Sequence, residues 1–303
     1  MTERTEPTTR RQMLALLGSG IVALPSIPLS AASATRPTQV PITTAGGRVS
    51  MVTLWKAPRA RGTILFSHGA LSSPAKYDRI IFPWVAAGFD VWAPLHVDST
   101  DHPDTKSFTG LTTWRARIED MRALSAHIGS GPRIAAGHSY GGLVALTLGG
   151  AAADVPEGLA GPLNDPLVTA VVAFSPPAPI PGLISAAGYA KLAVPALIQT
   201  GDKDVALGKP PIDPDSWKAH LSAYDLAATG GDRYALVLAG ANHFFGGLIC
   251  WLDQPGPPQT AQVETAGEIS RLFIEAYGTK SAKARRALDA RLRDAGPAIL
   301  RKK

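Results

Sequence analysis

With one cysteine in 303 residues, the chain cannot form an intrachain disulfide, so packing and hydrogen bonding must hold the fold. That cysteine, Cys250, sits in the apolar run Gly247-Leu248-Ile249-Cys250-Trp251, where a buried free thiol is expected rather than a reactive one. Charge is sparse at 18%, against 45% hydrophobic residues, which excludes a disordered, solvating chain and suits a globular α/β protein with a sizeable core. Long apolar runs are missing too. The best one, Met13 to Leu29, is short and broken by Pro25 and Pro28, so no integral membrane span is expected in the mature form. His96, His102, His127 and His220 lack metal-ligand spacing, and no basic stripe is interleaved with aromatics. The expectation is therefore no metal, no organic cofactor and no nucleic-acid partner. Internal repeats and low-complexity linkers are absent as well. The oligomeric state has no signature in the sequence.

The basic residues are unevenly placed. Of the net charge of +6, residues 1–34 carry +1 and residues 280–303 carry +7, so the body between them is mildly acidic at −2. The high pI therefore belongs to the C-terminal end. Residues 279–303 are read as a basic tail, either a solvated helix or a segment adhering to an acidic surface. At the other end, the twin arginine in Thr9-Arg10-Arg11-Gln12-Met13-Leu14 precedes the broken apolar stretch and the small-residue pattern Ala32-Ser33-Ala34. Residues 1–34 thus resemble a bacterial twin-arginine signal, implying export to the periplasm. Residues 35–278 are left as the folded domain.

Along that domain, strand and helix patterns alternate. Continuous apolar runs at 63–66, 133–136, 168–174, 196–200 and 234–239 read as strands buried on both faces, with 89–94 as a further strand and 51–55 as an edge strand. Residues 78–87, 114–128, 217–228 and 261–277, and the stretch following residue 142, read as helices. Such alternation predicts an α/β fold with a doubly wound, mainly parallel sheet and helices on both faces. Two inserts, 175–193 and 205–216, are too short for a lid domain, so the lid is minimal and the cleft open.

The chemistry concentrates at Gly137-His138-Ser139-Tyr140-Gly141, a G-x-S-x-G lying between an apolar strand and a small-residue helix pattern. In that setting a tight turn raises the serine hydroxyl at the rim of a sheet. Glycine is needed two positions either side, where a side chain would strike neighbouring backbone. A serine is a weak nucleophile and needs a base. Acids follow at the end of the 196–200 strand in Gly201-Asp202-Lys203-Asp204, and a histidine follows the last strand in Gly240-Ala241-Asn242-His243-Phe244. The order Ser, Asp, His is the one a strand-turn-helix nucleophile calls for. Either Asp202 or Asp204 could supply the carboxylate.

Together with Phe66-Ser67-His68-Gly69 and Ala241-Asn242-His243-Phe244-Phe245, these motifs resemble the α/β-hydrolase superfamily. Within it, the chain is similar to dienelactone-hydrolase-like and platelet-activating-factor-acetylhydrolase-like serine esterases, over about residues 40–278. The resemblance implies an α/β-hydrolase fold and a serine hydrolase that cleaves a small-molecule carboxylic ester through an acyl-enzyme. Ser139 would be the nucleophile, His243 the base and Asp204, preferred to Asp202, the carboxylate that orients it. Oxyanion donors would be the backbone amides of Tyr140 and of Ala70, with Leu71 as the alternative to Ala70. The match has departures: dienelactone hydrolases proper carry cysteine where Ser139 stands, and the elbow methionine and paired C-terminal cysteines of many polyester-degrading cutinases are missing. Dehalogenases and epoxide hydrolases carry aspartate at the elbow. Amide, thioester or peptide cleavage shares the machinery, and a non-catalytic binding protein of this fold is the alternative from another class. His68 and His138 are read as loop-shaping. Leu71, Leu95, Tyr140, Phe244 and Phe245 are candidates for an apolar pocket, or else plain packing.

Overall fold

A computed structural model describes residues 1–2, 36–205 and 213–303. The export signal expected in residues 1–34 lies, apart from its first two residues, outside the described residues, as does most of the 205–216 insert.

The strands are β1 (Thr38–Thr43), β2 (Val49–Trp55), β3 (Gly62–Ser67), β4 (Phe89–Pro94), β5 (Arg133–His138), β6 (Val168–Phe174), β7 (Ala196–Gly201), β8 (Arg233–Leu238) and β9 (Ala298–Lys302). They form a single sheet in the order β1-β2-β4-β3-β5-β6-β7-β8-β9. The six central strands, β4 to β8, run parallel, while β1, β2 and β9 add antiparallel margins. Alternate side chains of each central strand enter different cores, which is why these strands read as unbroken apolar runs. Ile64, Phe66, Ala136, Val172, Leu197 and Leu236 share one core with α1 (Asp78–Ala86) and α6 (Thr260–Gly278). Leu65, Ala135, Val171, Ile198 and Ala235 share the other with α2 (Leu111–Ile128) and α3 (Tyr140–Leu148). The fold class is the α/β arrangement expected.

Three elements differ from expectation. The edge strand at 51–55 is part of the longer β2 and has an outer partner, β1. Residues 217–228 do not make a continuous helix but a 3-10 turn, Ser216–Leu221, followed by α5 (Ser222–Leu226); the short α4 (Ala186–Tyr189) sits in the 175–193 insert. The third difference is a correction. Residues 279–303 are not a tail beside the domain: they form α7 (Ala282–Asp289) and β9, which pairs with β8 from Tyr234↔Lys302 to Leu238↔Ala298. Leu288 and Leu300 are buried in the α1/α6 core. Several of the basic residues are paired with the domain's own acids. Arg285 meets Asp232 at 2.6 Å, Arg291 meets Glu268 at 2.6 Å, Arg301 meets Asp294 at 3.1 Å and Lys302 meets Asp232 at 3.2 Å. These pairs divert charge that adhesion to an acidic surface would draw on.

Among the described residues, no helix is long and apolar enough to cross a membrane.

Candidate active site

The central strands end at one rim of the sheet, and the predicted residues gather there. Ser139 lies between β5 and α3 at φ 55°, ψ −120°. That conformation is strained for a residue with a side chain, at about 1–3 kcal/mol. It persists because the turn is held on both sides. The Ser139 amide donates to Phe174 O at 2.8 Å, and the amides of Gly142 and Leu143 donate to Ser139 O at 2.9 and 3.2 Å. A Cβ on Gly137 would collide with the carbonyl of Gly141, and one on Gly141 with the carbonyl of Ser67. The β5–α3 turn is therefore closed to any larger residue at both positions. Ser139 itself is half-buried and open to an incoming molecule.

Asp204 is buried just past β7 and accepts four hydrogen bonds. Its Oδ1 receives His243 Nδ1–H at 2.7 Å and His220 Nε2–H at 3.1 Å. Its Oδ2 receives the hydroxyl of Thr200 at 2.7 Å and that of Ser175. Burial pushes the carboxyl up, but the adjacent His243 and His220 outweigh it and hold Asp204 well below the usual carboxylate range. Asp202, the alternative, is half-buried and accepts from the Gly240 amide at 2.7 Å. Its carboxylate shapes the turn after β8, and among the described residues no hydrogen bond joins it to His243.

Among the described residues, neither Ser139 Oγ nor His243 Nε2 has a hydrogen-bond partner. The two residues are linked through the residue between them. His138 is fully buried, its ring centroid is 4.6 Å from that of His243, and its Nε2–H donates to His243 O at 2.9 Å. His138 Nδ1 accepts from the Tyr77 hydroxyl at 3.1 Å, and that hydroxyl accepts from the Gly69 amide at 2.8 Å. Burial holds His138 well below the ordinary histidine range and Tyr77 well above the ordinary phenol range, so both rings are neutral in this chain of bonds.

With the Gly69 amide so engaged, the next amides along the loop are those of Ala70 and Leu71, and among the described residues neither has a protein acceptor. Leu71 is exposed, at φ 60°. The underside of this loop rests on Arg117 of α2, which is fully buried. Its guanidinium forks onto Asp98 at 2.9 and 2.8 Å. It also donates to His68 O at 2.7 Å, to Gly69 O at 3.2 Å and to Ser67 Oγ at 3.2 Å, and lies 4.6 Å from the ring centroid of Tyr140. Burial raises Asp98, but Arg117 wins and holds it far below the usual range. Behind them, Ser67 Oγ meets His96 Nε2 at 2.9 Å, and His96 Nδ1 meets Asp120 at 2.8 Å. Ser67, His96 and Asp120 repeat a serine-imidazole-carboxylate arrangement, but all three are fully buried, so this copy is a scaffold. His68 Nε2 accepts the His96 amide at 3.0 Å, the loop-shaping part expected of it.

The pocket candidates separate. Leu71 is at the exposed rim. Phe244 and Phe245 are buried members of the α1/α6 core, with Phe244 edge-on to His243 at 5.0 Å and to Trp251 at 5.6 Å. Leu95 continues β4, with β3 between it and the elbow strand, and its amide donates to Met51 of β2 at 2.8 Å. Phe244 and Phe245 thus pack in a core, while Leu95 is half-buried outside both cores. Cys250 is a buried free thiol that burial pushes up.

Asp204, His220 and His243 present donor atoms within 4.8 Å of one another, a composition that could hold a metal ion. Each histidine nitrogen lies at hydrogen-bond distance from Asp204 Oδ1, at 2.7 Å for His243 and 3.1 Å for His220. His220 and Arg117 carried no signal in the sequence: the first sits in an irregular turn, the second on a helix face whose polar residues read as solvent-facing.

Comparison with known proteins agrees with this fold. The model of the alpha/beta hydrolase family matches residues 64–300. The esterase domain of a Rhodothermus marinus protein superposes with a TM-score of 0.54 at 15% identity, covering 80% of this chain and 98% of that one. Dienelactone hydrolase from Anabaena variabilis gives 0.54 at 18% identity, covering 80% and 99%. The thermophilic esterase Est2 of Thermogutta terrifontis gives 0.56 at 16% identity, covering 80% and 92%. No curated protein sequence matches significantly. A family match across most of the chain, on a sheet whose rim carries an elbow serine beside a buried carboxylate-imidazole pair, makes this protein a member of the alpha/beta hydrolase family.

Proposed function

We propose that the protein is a serine hydrolase that cleaves small carboxylic esters through an acyl-enzyme. His243 Nε2 takes the proton of Ser139 Oγ as that oxygen attacks the ester carbonyl. Asp204 keeps the proton of the resting ring on Nδ1, leaving Nε2 free as the base, and stabilises the imidazolium that forms. The negative carbonyl oxygen is received by the amides of Tyr140 and Ala70. Collapse of the tetrahedral species breaks the ester C–O bond, and His243 returns the proton to the departing alcohol. Water then attacks the acyl-serine by the same path and releases the acid. The observation that carries this reading is the buried Asp204–His243 pair at 2.7 Å beside an accessible serine at φ 55°. The direct Ser139–His243 bond forms in this reading with substrate, since such contacts tighten in the reacting complex.

The test is turnover of p-nitrophenyl acetate and butyrate by wild type and Ser139→Ala, with fluorophosphonate labelling of both. Turnover should fall by at least about 10³-fold in the variant, and labelling should vanish. Unchanged turnover would overturn the reading. Residues 1–34 as a twin-arginine signal add a periplasmic location, and lysine at both Arg10 and Arg11 should retain the protein inside the cell.

A further inference from the structure

His220 is the group near the site that this mechanism leaves unused. Its ring is buried and fixed at both nitrogens. Nδ1 is 2.9 Å from the carbonyl oxygen of Pro176, and Nε2 is 3.1 Å from Asp204 Oδ1. Both partners can only accept. A neutral imidazole carries one N–H and one lone pair, so either neutral tautomer would point a lone pair at an oxygen lone pair in a buried place. Only the doubly protonated ring satisfies both contacts.

Asp204 fits the same account from its own side. It accepts from two rings and two hydroxyls, the bonding of a full carboxylate. The ring of His220 is 5.5 Å from that of His243, centroid to centroid. Among the described residues, the titratable groups facing His220 are Asp204 at the end of β7, His243 on the loop after β8, and His138 on β5. Ser175 and Pro176 face it with backbone.

We propose that His220 is a positioning residue that rests as an imidazolium on Asp204, so that one carboxylate serves two rings and His243 must take up its proton beside a standing cation. This rests on the reading of His243 as the base. The cation opposes a second positive charge nearby, so it extends activity to lower pH. Burial works against the charge on His220, but the bonds to Asp204 outweigh it and raise its proton affinity above the ordinary histidine value.

Two measurements test this on the full chain. The first is nitrogen NMR of histidine-labelled wild type at pH 8, with the His220 signals assigned by their loss in His220→Gln. Both ring nitrogens of His220 should carry protons when free histidine is neutral; a neutral His220 ring would overturn the proposal. The second is the pH profile of kcat/KM for p-nitrophenyl acetate. In His220→Gln and His220→Asn, which keep a donor but no charge, the acid limb should move up by about one to two pH units. A merely structural role would lower the rate and leave the limb in place, and a limb that stays or moves down refutes the proposal. If neither variant folds, the NMR result on wild type decides, with the His220 signals assigned instead by through-bond correlation of its ring to its own backbone amide. If wild type neither hydrolyses esters nor takes fluorophosphonate, the hydrolase reading fails, and the NMR result still decides the charge of His220.

Discussion

Replacing Arg117 with lysine would separate the support of the proposed oxyanion loop from the groups proposed to react. Arg117 is buried, yet it makes five hydrogen bonds, two to Asp98, two to the carbonyls of His68 and Gly69, and one to Ser67 Oγ. Those two carbonyls precede the Ala70 amide, so their direction sets where that amide points. The cation also stacks on Tyr140, which bears the other amide of the proposed hole. A lysine keeps the charge, but one ammonium cannot span Asp98 and both carbonyls. Losing about two charge-assisted bonds, each worth about 1.5–3 kcal/mol, should destabilise the fold by about 3–6 kcal/mol. The kinetic effect is of another kind. Oxyanion donors act on charge that exists only in the transition state, so kcat should fall by about 10- to 100-fold while KM changes little. Urea denaturation and steady-state kinetics on p-nitrophenyl butyrate would measure both. A folded Arg117→Lys protein with lowered stability and wild-type kcat would refute the reasoning, because the loop would then hold its amides without the guanidinium.

Asp204→Asn should lose about 10⁴-fold in kcat by removing the carboxylate that fixes the His243 tautomer, whereas Asp202→Asn should stay within a few-fold; equal or reversed losses would refute the assignment. Gly141→Ala should yield little folded protein, since the new methyl meets the Ser67 carbonyl, and a thermal melt near that of wild type would show that the β5–α3 turn can relax. Asp120 carries a pH dependence of stability. Burial pushes its carboxyl up to about 6, despite the opposing pull of Arg48. The folded state therefore binds this proton more tightly than the unfolded chain does, with its value of about 3.9. The stability so gained is complete below about pH 4 and is lost as pH rises through about 6. Relative to Asp120→Asn, wild type should lose ground in urea midpoints across that window, and a difference independent of pH would contradict it.

The central sheet was legible because strands buried on both faces cannot afford polar alternation: Thr63 to Phe66 and Val168 to Phe174 advertise themselves. The β5–α3 turn was legible because its steric demand admits only glycine at Gly137 and Gly141. Asp204 was distinguishable from Asp202 only by resemblance; the structure separates them by what each carboxylate bonds. β9 escaped notice because Ala298-Ile299-Leu300-Arg301-Lys302 is short and charged, as a margin strand facing water should be. Arg117 and Asp120 were hidden for a more general reason. On α2 they share the buried face with Ile118, Met121 and Leu124, and helical spacing alone does not say that an arginine points inward. His220 belongs to a turn without periodicity, and its significance comes from a neighbour 16 positions away in the chain.

The bonds from the Gly69 amide through Tyr77 and His138 to the His243 carbonyl have one further consequence. Each donor in that series points the same way, because it starts at an amide that can only donate and ends at a carbonyl that can only accept. The loop proposed to cradle the substrate oxygen and the loop that carries His243 are thereby joined by one continuous series of hydrogen bonds. That series passes through a single phenol, so Tyr77→Phe would remove both of its bonds, to the Gly69 amide and to the His138 ring, at once.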